Sequence, residues 1–372
     1  MRIRRRELLQ FGTAAAATAL CSTLVEAGPV AADSPTRLVR LNRNESAYGP
    51  CEKAKVAFQE AFTEVNRYPS EDVENLRAAV AVLHGVQTEN ITLGCGSTEI
   101  MRMAAEACLG PGKTLVTASP TFDFIGHAAR LVGAEIRSTP LTREYAHDLG
   151  AMLARTDGTT GLLYICNPNN PTGTLTPRSD LEAFLPKVHS GVSVLIDEAY
   201  HDYVTPTGTY ASWAARAAAN PQLIVTRTFS KIYGLAGLRA GYAISSTETA
   251  KSLAARRLPM DLNVVAARVA LAALSDPAYV KKIAKLNEDD RQEFFNQANA
   301  RMLRCLDSQT NFVLMRTSTT GKEVTDLLRA RGVLVSAGYP SFEKHIHVSL
   351  GLPEDMQAFW QAWDASMPHH PM

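Results

Sequence analysis

Two hydrophobic periods alternate along this chain. In residues 51–65 the apolar side chains Ala54, Phe58, Ala61, Phe62 and Val65 recur at helical spacing, which predicts an amphipathic helix. Residues 73–83 predict a second one. Ile91-Thr92-Leu93 predicts a short strand, followed by a glycine turn and a helix running to Leu109. Further strands are predicted over 115–118, 161–166, 192–197 and 223–226, with a helix over 181–188. The 192–197 run is nearly all apolar, as expected of a parallel strand covered on both faces. From residue 251 the pattern turns helical. It gives an Ala-rich helix over 264–274, a long one over 278–306, strands over 311–315, 332–335 and 345–350, and helices over 324–331 and 356–365. The strand–helix alternation in the middle predicts an α/β fold with a parallel sheet, whose ligands sit at the carboxyl ends of the strands.

Length and composition refine this picture. At 372 residues the chain is too long for one simple core and suits a large domain with a smaller one. The boundaries predicted are a signal segment over 1–32, an N-terminal segment over 33–66 that joins the small domain, a large α/β domain over 67–260 and a small α+β domain over 261–372. A net charge of +1 offers no electrostatic footprint for nucleic acid. The start is distinct: Arg4-Arg5-Arg6, an apolar Ala-rich run from Phe11 to Val25, then small residues ending at Val30-Ala31-Ala32. This predicts a secretory signal, too short and Ala-rich for a stable membrane anchor. Arg5-Arg6 followed by Leu8-Leu9 resembles a twin-arginine signal, which implies export in the folded state to the periplasm or beyond. Without Cys21 the remaining cysteines, Cys51, Cys95, Cys108, Cys166 and Cys305, have no metal-like spacing and are expected to be buried free thiols.

Candidate chemistry falls at the strand ends. Gly94-Cys95-Gly96-Ser97-Thr98 opens a helix, where unpaired N–H groups form an anion site and Ser97 or Thr98 supplies a cap. Ser119-Pro120-Thr121-Phe122 ends the next strand, and Phe122 is placed to stack on a flat ring or to join the core. Asn167 to Gly173 and Asp197-Glu198-Ala199-Tyr200 end two more. The fourth is Arg227-Thr228-Phe229-Ser230-Lys231, followed by Gly234, Gly237, Arg239 and Gly241. Hydroxyls and an arginine among small residues suit a phosphate monoester. A lysine beside them, if its pKa is lowered, becomes a Schiff-base amine. An acid beside a pyridine nitrogen makes the ring an electron sink, and Asn and Tyr can hydrogen-bond a ring phenolate. Together these point to pyridoxal 5′-phosphate, whereas each motif alone also reads as a turn, a helix cap or a solvated side chain.

The ordered set Leu41-Asn42-Arg43-Asn44-Glu45, Arg67-Tyr68-Pro69, Gly94 to Glu99, Pro120-Thr121-Phe122, Asn167 to Gly173, Asp197 to Tyr200 and Arg227 to Tyr242 resembles the fold-type I pyridoxal-phosphate aminotransferases, in their histidinol-phosphate aminotransferase-like branch. The resemblance implies a large domain with a mostly parallel sheet and a small α+β domain built from both termini. It implies ping-pong amino transfer between an amino donor and a 2-oxo acid. Lys231 would be the Schiff-base lysine and proton shuttle, and Asp197 the partner of the pyridine nitrogen. Asn170 and Tyr200 would bind the ring oxygen, and Phe122 would stack on the ring. Gly96, Ser97, Thr98, Thr228, Ser230 and Arg239 would hold the phosphate. Tyr68 would reach the partner's phosphate across a homodimer. Asn44, Tyr48, Ser336 and His347 are the substrate candidates. Family members usually place Arg where this chain has His347, and the branch commonly ends the 332–335 strand with Arg where this chain has Ser336. Both changes remove bidentate anion recognition. A decarboxylase or lyase of the same fold would use the same Lys231 and Asp197. A binding protein without turnover is the third reading, opposed by the intact Lys231, Asp197 and Tyr200. His345 and His347 share a strand face without a third metal ligand.

Overall fold

A computed structural model describes residues 38–367. The expected signal over 1–32, with Cys21, lies outside the described residues. The chain enters through β1 (Val39–Arg40) and a loop leading to α1 (Glu52–Ala61) and α2 (Ser70–His84). α2 stops where Gly85 takes φ 62, a left-handed conformation that glycine adopts without a Cβ penalty. Strands and helices then alternate: β2 (Ile91–Gly94), α3 (Ser97–Cys108), β3 (Thr114–Ser119), α4 (Phe124–Leu131), β4 (Glu135–Pro140), α5 (Leu149–Ala154), β5 (Thr160–Cys166), α6 (Arg178–Phe184), β6 (Ser193–Asp197), α7 (Ala214–Ala217), β7 (Leu223–Thr228), β8 (Gly241–Ser245) and α8 (Thr247–Ala254).

β2 to β8 form one seven-stranded sheet in the order β2-β8-β7-β6-β5-β3-β4. Neighbours are parallel except at β8, which runs antiparallel to β2 and β7. The apolar runs that looked continuous in sequence divide by alternation between two cores. Leu163, Ile165, Val194, Ile196 and Val225 face one core, and Leu162, Tyr164, Leu195 and Ile224 face the other. Burial on both faces is what removes the polar half of each strand pattern.

The remaining elements are α9 (Val264–Leu274), α10 (Pro277–Ala300), β9 (Phe312–Arg316), α11 (Gly321–Arg329), β10 (Val333–Leu334), β11 (His345–Ser349) and α12 (Pro353–Ser366). β11 pairs antiparallel with β9, and β1 pairs parallel with β10. A third core joins Val39 and Leu41 to Phe294, Val313, Ile346, Phe359, Trp360 and Trp363. The cores divide elsewhere than at residues 66 and 260. Cys51, Ala54, Leu262, Ala266 and Ile283 all pack in the large-sheet core, because α9 lies against α1 and α2. The long helix also ends earlier than its apolar pattern suggested. α10 stops at Ala300, Met302 takes φ 56, and Leu306 N–H donates to Leu314 O at 2.9 Å. Leu303 N–H turns back to Ala298 O at 2.9 Å, and Arg304 to Leu306 make a short pairing with β9, where Cys305 bridges Met315. The five cysteines of the described residues are free thiols. Cys51 and Cys166 are buried, but Cys95, Cys108 and Cys305 are only half-buried. No helix among the described residues is long and apolar enough to cross a membrane.

In the third core the Phe294 ring lies 5.1 Å from Trp360 and 5.9 Å from Phe359, almost wholly buried. Phe294→Ala should cost about 3–5 kcal/mol of unfolding free energy, measured by urea denaturation. A loss below about 1 kcal/mol would mean that this core contributes little to stability.

Candidate active site

Parallel register brings the chemistry to one edge of the sheet. Cys166 is level with Asp197, and Asp197 is level with Thr226. The residues that follow β3, β5, β6 and β7 therefore converge on a single cavity of about 950 Å³. Lys231 enters it from the turn after β7. Phe229 and Ile232 are buried beside it. Phe229 N–H donates to Ala240 O at 3.1 Å, and Gly234 N–H to Lys231 O at 2.9 Å. Gly234 has φ 70, and a Cβ there would collide with the Gly49 backbone, so this turn is closed against the N-terminal loop. Lys231 Nζ donates to Asn44 O at 2.9 Å and to Arg43 O at 3.4 Å. The residue is half-exposed to the cavity, yet protein surrounds its amine. Burial is the main reason that its pKa falls to about 8; Arg239 pushes the same way, while Glu45 and Asp197 oppose.

Asp197 also lines this cavity. Its carboxylate accepts from Tyr164 Oη at 3.0 Å, Thr226 Oγ1 at 3.1 Å and Ala199 N–H at 3.1 Å. Arg227, on the opposite strand face, turns instead to Glu198 at 2.8 Å and Asp202 at 3.9 Å. Desolvation therefore prevails over the three donors and pushes Asp197 up to about 6. An N–H⁺ group brought against it would relieve that penalty.

Tyr200 lines the cavity with the Lys231 amine 5.6 Å from its ring centroid, and its hydroxyl oxygen accepts from Asn44 Nδ2 at 3.0 Å and Asn170 Nδ2 at 3.2 Å. At another wall the start of α3 meets Arg239. Gly96, with φ 80, occupies the cap position, and neither Ser97 nor Thr98 caps the helix. The sequence expectation of a side-chain cap fails here, and the first N–H groups of α3 remain available to an anion. Arg239 Nη1 donates to Ser230 Oγ and Ala236 O, each at 3.1 Å, and Nη2 to Thr98 Oγ1 at 3.4 Å. A Cβ on Gly96 would fill the space of the guanidinium. Ser97, Thr98, Thr228, Ser230 and Phe122 line the same cavity.

The substrate candidates separate. Asn44, Ser336 and His347 line the cavity, but Ser336 gives its hydroxyl to Asn42 O at 2.8 Å. His347 is 2% exposed, with Nε2 at 2.7 Å from Asn44 Oδ1 and Nδ1 at 3.3 Å from Tyr339 Oη. Burial, then the Lys231 charge, lowers its pKa to about 3, so the imidazole is neutral. Tyr48 lies elsewhere: its hydroxyl donates to Asp290 at 2.7 Å, and it lines a separate small pocket with Tyr203 and Asn287. Tyr68 is 81% exposed and lines no part of this cavity. Sequence reasoning overlooked Tyr164 and Thr226, which hold Asp197, and Tyr339, which holds His347. The first two stand where strand alternation puts core residues; only their polar atoms at a strand's carboxyl end signal the site. Among the described residues no group of three or more His, Cys, Asp or Glu could hold a metal ion.

The profile of the family described as aminotransferase class I and II matches residues 36–362. The chain is 36% identical to a histidinol-phosphate aminotransferase of Moorella thermoacetica, over 87% of this chain and 84% of that one. It is 39% identical to histidinol-phosphate aminotransferase 2 of Ralstonia nicotianae, over 89% of each. Among solved structures, the histidinol-phosphate aminotransferase of Sinorhizobium meliloti in complex with pyridoxal-5′-phosphate superimposes with a TM-score of 0.83. That match has 25% identity and covers 89% of this chain and 90% of that one.

The depressed amine makes a direct prediction. In cofactor-free protein, competitive acylation of Lys231 followed by mass spectrometry should titrate with a midpoint near pH 8. Exposed lysines should titrate about two units higher. A Lys231 midpoint among theirs would refute the desolvated site.

Proposed function

This chain belongs to the class I and II aminotransferases, and on that footing we propose how its residues divide the reaction and which substrates suit it. The enzyme is pyridoxal-phosphate-dependent and transfers amino groups between an amino donor and a 2-oxo acid. The cavity fits that cofactor on its own chemistry. Asp197 is a buried carboxylate without a cation, and Gly96, Ser230 and Arg239 form a cradle that a single added methyl would fill. The observation that supports the assignment most is the placement of Lys231, Asp197, Tyr200 and this cradle around one cavity.

Bound pyridoxal phosphate supplies a carbonyl that carries the amino group and a ring that draws electrons from the reacting carbon. Arg239, Ser97, Thr98, Thr228, Ser230 and the first N–H groups of α3 bind its phosphate and so fix its position. Phe122 would stack on the ring, and Asp197 would hold a proton on the ring nitrogen. Asn170 and Tyr200 would hydrogen-bond the ring oxygen. Lys231, partly deprotonated near neutral pH, would hold the cofactor through Nζ, and its amine is the group that would take the proton from the substrate carbon and return it. A second copy of the chain covers α1 and the turn after it, where Phe62 is 65% and Val65 53% exposed. That copy contributes its Tyr68 to the phosphate.

The relatives named above are histidinol-phosphate aminotransferases, and this chain's own residues offer little to clamp an anion beside Lys231. The wall beside Lys231 offers a neutral His347 and a Ser336 hydroxyl already bonded to backbone. The cations that line the cavity besides Lys231 and Arg239 are Arg43 and Arg130, both exposed. Substrates that need a bidentate clamp near the reacting carbon are therefore poor ones, and donors whose reacting carbon bears no carboxylate are favoured. Export in the folded state, directed by Arg5-Arg6, places the enzyme in the periplasm or outside the cell.

An amino-donor screen tests the substrate reading. Wild type should prefer amines and amino alcohols over amino acids. His347→Arg should raise kcat/KM for ordinary amino acids about 10-fold or more, the scale of one charge-assisted contact. Lys231→Ala should abolish transfer with every donor. An unchanged donor profile in His347→Arg would count against the missing-clamp account. For export, residues 1–32 fused to a reporter should carry it out of the cytoplasm, and replacing Arg5-Arg6 by Lys-Lys should stop it. Export unaffected by that change would remove the twin-arginine reading.

A further inference from the structure

The hydrogen bonds that end on Tyr200 have a fixed direction. Asn44 backbone N–H donates to Ser349 Oγ at 2.8 Å, so the Ser349 hydroxyl proton must go to another acceptor. It goes to Asn44 Oδ1 at 3.0 Å. The Asn44 side-chain carbonyl thus faces Ser349 and His347, and its NH₂ faces Tyr200. His347 Nε2, at 2.7 Å from the same Oδ1, must then carry a proton. Its neutral ring leaves Nδ1 as an acceptor for the Tyr339 hydroxyl at 3.3 Å. The imidazole is also clamped sideways, with its centroid 4.3 Å from that of Phe312, which meets Tyr200 edge-on at 5.1 Å. Asn44 is held from behind, because its carbonyl accepts from Lys231 Nζ and from Asn311 Nδ2 at 3.2 Å.

Every proton in the chain Tyr339, His347, Asn44 points toward Tyr200. The Tyr200 oxygen already accepts from Asn44 and from Asn170. Both of its lone pairs are taken, so its own O–H is free to point only into the cavity that it lines. We propose that His347 is a positioning residue that acts through Asn44 to fix the Tyr200 hydroxyl as a donor into the cofactor cavity. This rests on the assignment of pyridoxal phosphate to that cavity, where the atom receiving the proton is the ring oxygen. The titratable groups facing His347 are Lys231 and Tyr339. Burial and the Lys231 charge keep the ring neutral, so the direction of the relay does not reverse across the working pH range. The histidine thus does the opposite of a substrate clamp: both nitrogens are used inside the protein.

The test is a pH titration of the visible absorbance of the bound cofactor in the holoenzyme. A Tyr200 proton on the ring oxygen stabilises the form in which that oxygen is negative, and so lowers the midpoint. His347→Leu frees the Asn44 amide and weakens that donor, so the midpoint should rise by about 0.5–1 pH unit. His347→Gln keeps an N–H at the place of Nε2 and should restore the wild-type midpoint to within about 0.2 unit. A leucine variant that folds with an unchanged midpoint, or a glutamine variant that shifts as far as leucine, overturns the proposal. Nitrogen-15 NMR of labelled histidine in the wild-type holoenzyme decides independently of any variant. A neutral ring protonated on Nε2 is expected, and one protonated on Nδ1 overturns the relay. Wild type lacking the cofactor absorbance altogether would instead refute the cofactor assignment, and the tautomer measured by NMR would still decide the direction of the relay.

Discussion

A carboxylate buried without a cation is the constraint on which this active site depends. Asp197 ends β6 inside the protein, and its three neutral donors do not offset the cost of its burial. Natural folds rarely keep such a group unless something answers its charge. On the function proposed above, a protonated ring nitrogen would answer it, and cofactor binding would then stabilise Asp197 in the same event. Arg227 shows the alternative outcome one residue away. It stands beside Thr226 on β7, points to the other face and is matched by Glu198, with the pair fully enclosed. One strand face carries a self-contained ion pair, while the opposite face holds an acid that waits for its partner.

The same burial sets Lys231 against Asp197. Desolvation lowers the amine to about 8 and raises the acid to about 6. Both shifts favour neutral forms, and both narrow the gap between the two groups and neutral pH. Groups whose environments move their pKa values in this way are the ones that can take and return protons at working pH. The positions come from the sheet, because four parallel strand ends in register deliver Ser119, Cys166, Asp197 and Thr228 to one edge. The turn after β7, closed on Gly49 through Gly234, then points Lys231 back across that edge.

Much of this was legible in the sequence because the relevant signals are local. The apolar strands and the polar residues just past their ends marked Lys231, Asp197, Asn170, Tyr200 and Arg239 as one group. What stayed hidden depends on contacts between distant segments. Tyr164 and Thr226 look like core residues until β5, β6 and β7 are laid side by side. α9 looked like part of a second domain, but its buried face belongs with α1 and α2, some two hundred residues earlier in the chain. The long helix was overextended because Leu303 and Cys305 continue its apolar pattern, although the chain from Arg304 to Leu306 pairs with β9. Tyr48 was grouped with the substrate residues from its neighbours in sequence, although Asp290 draws its hydroxyl away.

The two ends of the cavity are built under different constraints. At the cofactor end each group satisfies another. Gly96 makes room for Arg239, and Arg239 reaches Ser230 and Thr98, so one substitution there disturbs several contacts. At the substrate end the residues are neutral and bonded to each other or to backbone: Ser336 to Asn42, and His347 to Asn44 and Tyr339. An arginine at residue 347 would bring a charge into the place where the present imidazole is held neutral by burial and by Lys231. It would also put a longer, charged donor in place of the Nε2 that meets Asn44 Oδ1. Substrate charge and the setting of Tyr200 are therefore coupled through a single position. With an imidazole at residue 347 the hydrogen-bonded path through Asn44 to Tyr200 is complete, and any change of charge there acts on both the cavity wall and that path.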